Sequence, residues 1–212
     1  CRSLQDQCEE VQVEASTSRN LYRGEAQRLA ARENWGGIEI IRVRTPATKR
    51  NSSRLRLLAG VYFTVAVFAR MAFRPRYDVL IVSTSPPMLP VAAMALKTLR
   101  GTPYVFLIHD LYAEMAVALG LKSPESRSIK ISEKMQAAFF RRASKVVALG
   151  RCMKDHLTSE FELTPDKVEV ITNWGTIESV TDQASSRFRR ENSLYGTVVM
   201  YAGNFGQFHN FD

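Results

Sequence analysis

His109 and Asp110 stand side by side directly after the apolar run Tyr104 to Ile108. An imidazole next to a carboxylate can exchange a proton near neutral pH, hydrogen-bond a hydroxyl or touch a phosphate, so this pair is a candidate chemical centre. A histidine in such a place can also do no more than bond neighbouring backbone, and both readings stay open. Glu114 follows on the same segment. It could pair with Asp110 in acid–base work, but a carboxylate there more often caps or orients the next helix.

Other polar residues recur in the same kind of place. Ser83-Thr84-Ser85-Pro86-Pro87 follows Asp78 to Val82, Gly150-Arg151 follows Lys145 to Leu149, and Asn173-Trp174-Gly175 follows Val168 to Thr172. Ser83, Ser85, Asp110, Arg151, Asn173 and Trp174 are therefore expected to contact a substrate. Gly203-Asn204-Phe205-Gly206 follows Thr197 to Ala202. Its backbone N–H groups could approach a diphosphate, although Gly-x-x-Gly also describes an ordinary tight strand-to-helix turn. The chain has no Gly-x-Gly-x-x-Gly, no Gly-Lys-Ser/Thr loop and no Asp-x-Asp. This disfavours an ordinary NAD enzyme or ATPase, and metal-free chemistry without a resident cofactor is expected.

The elements that must position these turns are legible in the sequence. Asp78 to Val82 is too short for a helix and apolar on both sides, as in a buried parallel strand. Met88 to Leu99 has helix formers with proline only in its first turn, and Gly101 and Pro103 stop it before Tyr104 to Ile108. That is one β-α-β unit, and Lys145 to Leu149 and Val168 to Thr172 continue the series. An open parallel sheet binds ligands at the carboxyl ends of its strands, where the polar turns fall. Four parallel strands with helices on both faces, a doubly wound α/β sheet, are expected.

At the start, Val11 to Ala15 alternates as a strand would, a polar connection runs from Ser16 to Asn34, and Trp35-Gly36-Gly37 turns the chain into Ile38 to Val43. Two strands so close together suggest that an earlier strand and helix belong to the fold. Arg54 to Phe73 is the most hydrophobic stretch, flanked by Arg54, Arg56, Arg74 and Arg76. It falls short of the ~20 apolar residues that a membrane span needs. A core helix is the plain reading, and a helix lying in an anionic membrane interface is the sharper one. Ser123-Pro124-Glu125 reads as a helix start with a capping serine, followed by Ile131, Met135, Ala138 and Phe139 as a core stripe. Residues 176 to 195 turn polar and read as an interdomain linker.

Lys plus Arg number 29 against 21 Asp plus Glu, a net charge of +8 spread along the 212 residues. This suits an anionic partner: a phosphorylated small molecule or an acidic membrane face, with nucleic acid ranked last for want of a reading motif. Cys1, Cys8 and Cys152 make an odd, scattered set that fits no disulfide framework or zinc site and suits a reducing cytoplasm. The chain opens on Cys1 without a signal-like segment, so it reads as a fragment of a larger protein.

Taken in order, DVLIVSTSPP, FLIHDLYAE, KVVALGRCMKDHL, VEVITNWG and VVMYAGNFGQFHNFD resemble glycosyltransferase family 4, especially its exopolysaccharide and O-antigen sugar transferases. IHDLYAE is similar to the family's DLWPE segment with Ala113 in place of proline, and VITNWG to VIPNW with Thr172 in place of proline. YAGNFGQFHNF is similar to YSGNLGRAHxF, with Gln207 where a basic residue is frequent.

The resemblance implies a GT-B enzyme whose two Rossmann-like domains face each other across a cleft. Residues 1–180 would be the acceptor-side domain, lacking the family's opening strand; 181–195 would be the linker, and 196–212 the first strand and turn of the donor-binding domain. It implies that His109 touches the donor sugar or phosphate, and that Gly203, Asn204, Gly206 and His209 lie near the donor diphosphate. A nucleotide sugar would be the donor substrate, with a lipid-linked or polysaccharide hydroxyl as acceptor. The protein would work in the cytoplasm or on the inner face of the cell membrane. The fragment alone is expected to be inactive. The rival readings are a nucleotide-sugar 2-epimerase on the same plan and a noncatalytic membrane-docking module.

Overall fold

The computed structural model describes residues 6–16, 29–45, 53–173 and 187–199. Its strands form two sheets. The first holds β1 (Gln12–Ser16), β2 (Arg32–Trp35) and β3 (Ile38–Val43) in the order β1-β3-β2, with β1 parallel and β2 antiparallel to β3. The β2–β3 hairpin turns on Gly36 and Gly37, whose φ of 60° and 90° favour residues without a Cβ. Asn34 Oδ1 accepts the Gly37 amide at 2.9 Å and closes the turn.

The second sheet is the expected one. β4 (Leu80–Ser83), β5 (Tyr104–Leu107), β6 (Lys145–Ala148) and β7 (Val168–Val170) lie in sequence order, every neighbouring pair parallel. The chain is thus α/β with a parallel four-stranded sheet, as a Rossmann-like domain requires. The helices are α1 (Ser53–Ala72), α2 (Leu89–Arg100), α3 (Tyr112–Ala118), α4 (Arg127–Arg142), α5 (Arg151–Glu160) and the short α6 (Arg187–Glu191). A single 3-10 turn, Pro165–Lys167, precedes β7.

One face of this sheet makes the core. Leu80, Val82, Tyr104, Phe106, Val146, Ala148 and Val168 alternate along their strands and meet Ala93 and Leu96 of α2, Phe139 and Phe140 of α4, and Leu157 of α5. Phe140 packs edge-on against Phe161, centroids 4.8 Å apart, and lies 5.6 Å from Phe106. The other face differs at β4, where Ile81 is 58% exposed. Helix cover is therefore seen on one side only there, among the described residues.

α2 starts and stops where its sequence dictates. Pro90 occupies the first turn, and Gly101 takes the left-handed cap at φ 67°. The end of α1 is closed from outside itself: Arg100 Nη1 donates to the carbonyls of Met71, Ala72 and Arg74 at 2.6–2.9 Å. These include carbonyls of the last helical turn, which lack intrahelical donors.

Several expectations are corrected. β2 was read as connection, because Arg32–Trp35 is polar and exposed throughout; only pairing with β3 makes it a strand. The cap of α4 is Ser126, whose Oγ accepts the Ile129 amide at 3.4 Å, whereas Ser123 accepts from Glu125 in the turn before it. The core residue at the start of that helix is Ile129, and Ile131 is exposed. Of the strand expected over Thr197 to Ala202, residues 197–199 carry no strand, with Val199 open to solvent, and 200–202 lie outside the described residues.

Candidate functional site

The carboxyl ends of β4 to β7 carry the polar turns side by side. Adjacent strands lie about 4.8 Å apart, so the row from Ser83 to Asn173 spans roughly 15 Å, the reach of an extended ligand rather than a single small group. At β4, the Ser83 hydroxyl donates to the Ser85 carbonyl at 3.2 Å and lies 3.4 Å from the Ser85 amide, folding the loop on itself. Thr84 is buried, and its Oγ1 accepts the backbone amide of His109 at 3.4 Å. That bond ties the end of β4 to the end of β5. It leaves the His109 side chain exposed at the strand terminus.

Tyr112 lies beside both loops. Its pKa is raised, mostly by burial and then by the Asp110 charge, while the nearby Ser85 side chain pulls it down. Below the loops, Thr84, Asp110, Tyr112 and Gln136 help to line a cavity of about 130 Å³. The Gln136 Oε1 is buried there without a protein partner.

Glu114, in the first turn of α3, faces His156 of α5, with Oε1 3.3 Å from Nε2. Burial lifts the Glu114 carboxyl above its ordinary value; the His156 hydrogen bond and charge pull it back, and Glu133 and Glu160 push it up. The carboxylate thus orients α3 against α5, the structural role expected of it. His156 was missed by sequence reasoning. It lies 42 residues from its partner, and only the fold brings the two together.

Arg151 opens α5 immediately after β6, exposed, with Gly150 extended before it at φ −164°. Asn173 is exposed beyond β7. The structure therefore brings Ser83, Ser85, His109 and Asp110 into one linked cluster and sets Arg151 and Asn173 on the same sheet edge without a bond to it. Trp174, Gly203, Asn204, Gly206 and His209 lie outside the described residues. Among the described residues, no group of three His, Cys, Asp or Glu side chains is placed to hold a metal ion.

One further surface lies at this end of the molecule. A Cβ placed on Gly60 of α1 would stand 3.2 Å from Pro86 Cβ, so the first half of α1 runs beside the β4 loop. There Leu57, Leu58, Tyr62 and Val65 are exposed, each by half or more, while Phe63 and Val67 turn inward.

The sequence pattern of a glycosyl transferase 4-like domain matches residues 1–174. Over 136 residues the chain is 25% identical to a protein of Pseudomonas aeruginosa named "Probable glycosyltransferase WbjE", the match covering 64% of this chain. It covers 34% of that relative, so the chain spans about a third of the relative's length.

Proposed function

Since the chain belongs to the glycosyl transferase 4-like family, we propose that it forms most of the acceptor-side half of an enzyme moving a sugar from a nucleotide-sugar donor to an acceptor hydroxyl. The observation that carries this reading is the polar edge of the parallel sheet, where the His109 side chain stands exposed beside a linked Ser83–Ser85–Asp110–Tyr112 cluster.

In such an enzyme an acceptor oxygen attacks the anomeric carbon, the bond from that carbon to the diphosphate breaks, and the hydroxyl proton leaves to a base or to the departing phosphate. His109 would meet the donor sugar or its phosphate from the acceptor side. Asp110, beside Tyr112, would orient sugar or acceptor hydroxyls, and Ser83 and Ser85 would bond them. Arg151 and the positive end of α5 would offset charge on the leaving diphosphate. Asn173 and Trp174 would border the same cleft. Gly203, Asn204, Gly206 and His209 would approach the diphosphate from the partner domain. The chemistry needs no resident cofactor, and we place it among metal-independent hexosyl transfers.

We further read the acceptor as lipid-linked, serving exopolysaccharide or O-antigen synthesis on the inner face of the cell membrane. The exposed apolar side of α1 beside the β4 loop supports this, because a membrane bound there would present its lipids next to the site. The test uses the intact enzyme in membranes with a panel of labelled nucleotide sugars. One donor should label the lipid extract, and His109→Ala should lower that labelling by more than about 100-fold while the protein stays folded. Equal labelling by the variant would remove His109 from the site; no labelling from any donor would reject the lipid-linked acceptor.

A further inference from the structure

The cavity of about 130 Å³ below the His109–Asp110 loop has a mouth and a floor of different character. Pro87 of the β4 loop, Tyr112, and Ser132 of α4 line it and are exposed, so it opens among these three, beside the loop that carries His109. Phe106 of β5 and Phe139 of α4 line it and are buried, which makes its floor aromatic. Ser132 and Gln136 stand one turn apart on α4, so both face the cavity from the same side of the helix. Gln136 Oε1 is buried and has no protein partner. A bare buried acceptor of this kind is uncommon, because its lost hydration goes uncompensated.

Charge, hydrogen bonding and size limit what the cavity takes. Asp110 lines it and no Lys, Arg or His does, so a phosphate or carboxylate would be buried there without a counter-charge. Asp110 brings acceptor oxygens, Thr84 Oγ1 already accepts the His109 amide, and Gln136 Oε1 lacks a donor, so the guest must supply an N–H or O–H. A cavity of ~150 Å³ admits a benzene-sized molecule, so this one has room for roughly five non-hydrogen atoms. A sugar hydroxyl fills little of that and leaves the aromatic floor uncovered. An acetamido group nearly fills it, joins an N–H donor to a methyl that suits Phe106 and Phe139, and carries no charge. Its carbonyl can accept from the Ser132 hydroxyl or the Gln136 side-chain N–H.

We propose that this cavity is a subsite for an acetamido group on the sugar of the acceptor, and that Gln136 is the residue that selects it. The proposal rests on the sugar-transfer reading above and adds to it the class of acceptor. With the N-acyl arm seated between Gln136 and the aromatic floor, the sugar ring lies at the mouth beside Pro87 and Tyr112, where a neighbouring hydroxyl can turn toward the His109–Asp110 loop. A sugar with a free amine in the same place would bury a cation against aromatic rings, and one with a hydroxyl would leave most of the cavity unfilled.

The test titrates the 212-residue chain with methyl glycosides of N-acetylglucosamine and N-acetylgalactosamine, of glucose and galactose, and of glucosamine, with saturation transfer read by NMR. The N-acetyl glycosides should bind at least about tenfold more tightly than their hydroxyl and amine counterparts, and the acetyl methyl should receive the most saturation. Gln136→Leu and Ser132→Leu, each checked for an unchanged melt, should bring the preference down to about twofold or less. A preference that survives both variants lies elsewhere on the protein and overturns the proposal. So does equal binding of the hydroxyl glycosides, tighter binding of the amine, or binding of no glycoside. The intact enzyme separates this subsite from the transfer reading: undiminished kcat/KM with acceptors that lack an acetamido group overturns the subsite alone, whereas selective binding that needs Gln136, without transfer to any acceptor, overturns the transfer reading alone.

Discussion

His156 Nε2 lies 3.3 Å from Glu114 Oε1, so a residue of α5 holds the first turn of the helix that follows the His109–Asp110 loop. The Glu114 Oε2 is buried without a partner. Because burial raises the Glu114 pKa, its protonated form favours folding, and the contribution is full below the ordinary carboxylate value and fades as pH rises through the raised one. Glu114→Gln should therefore raise Tm at pH 7.5, and the advantage should vanish as pH falls through the carboxylate range. A melt series in pH checks the sign; a variant less stable than the parent at pH 7.5 means that the His156 bond outweighs the burial of the charge.

Tyr112→Phe should keep the fold and remove the phenol hydroxyl beside Ser85 and Asp110. Loss of hydrogen bonds of ordinary strength, about 0.5–1.5 kcal/mol each, predicts a drop in kcat/KM of the intact enzyme of roughly three- to tenfold or somewhat more. Asp110→Asn combined with Tyr112→Phe should cost less than the product of the single effects, since both act through one contact.

Phe140 is 1% exposed and touches aromatic rings from β5 and from the segment after α5. Phe140→Ala should destabilise by about 3–5 kcal/mol, read from the urea midpoint, whereas Ile131→Ala on the exposed side of the same helix should stay within about 0.5 kcal/mol.

Binding to anionic vesicles should separate the two sides of α1. Leu58→Asp and Val65→Asp should release the protein from lipid at unchanged Tm, and Val67→Asp should unfold it instead. Arg54→Gln and Arg56→Gln should each weaken binding about fivefold, the equivalent of ~1 kcal/mol per charge near such a surface, and high salt should do the same. Binding that survives both Asp variants would end the membrane reading.

How far the sequence could be read depended on whether a signal was local. β4, β5, β6 and β7 were legible because each is a short β-branched or aromatic run bounded by turn residues, and α2 because Pro90 and Gly101 punctuate it. Arg32–Trp35 was not, since a polar edge strand carries no periodicity of its own and is defined by its partner. Ser123 and Ser126 are both sound caps in isolation, and the helix takes the second. Of the site, the row of strand-end turns followed from the parallel sheet, but the bond from the His109 amide to Thr84 and the pairing of Glu114 with His156 depend on tertiary contacts. Val65 shows the same limit: within α1 its side chain is as apolar as Val67, and only packing sends one outward and the other into the core.

The clasp at Arg100 gives α1 a mechanical character. One guanidinium nitrogen closes carbonyls at its C-terminal end, Phe63 and Val67 pin its middle in the core, and apolar side chains lie bare along its first half, so the helix is a beam held at its far end and midpoint with one side left open. Gly60, lying against Pro86, sets that open side beside the β4 loop. Because all three bonds leave from one nitrogen, Arg100→Lys could keep them in part, whereas Arg100→Ala leaves these carbonyls without this donor.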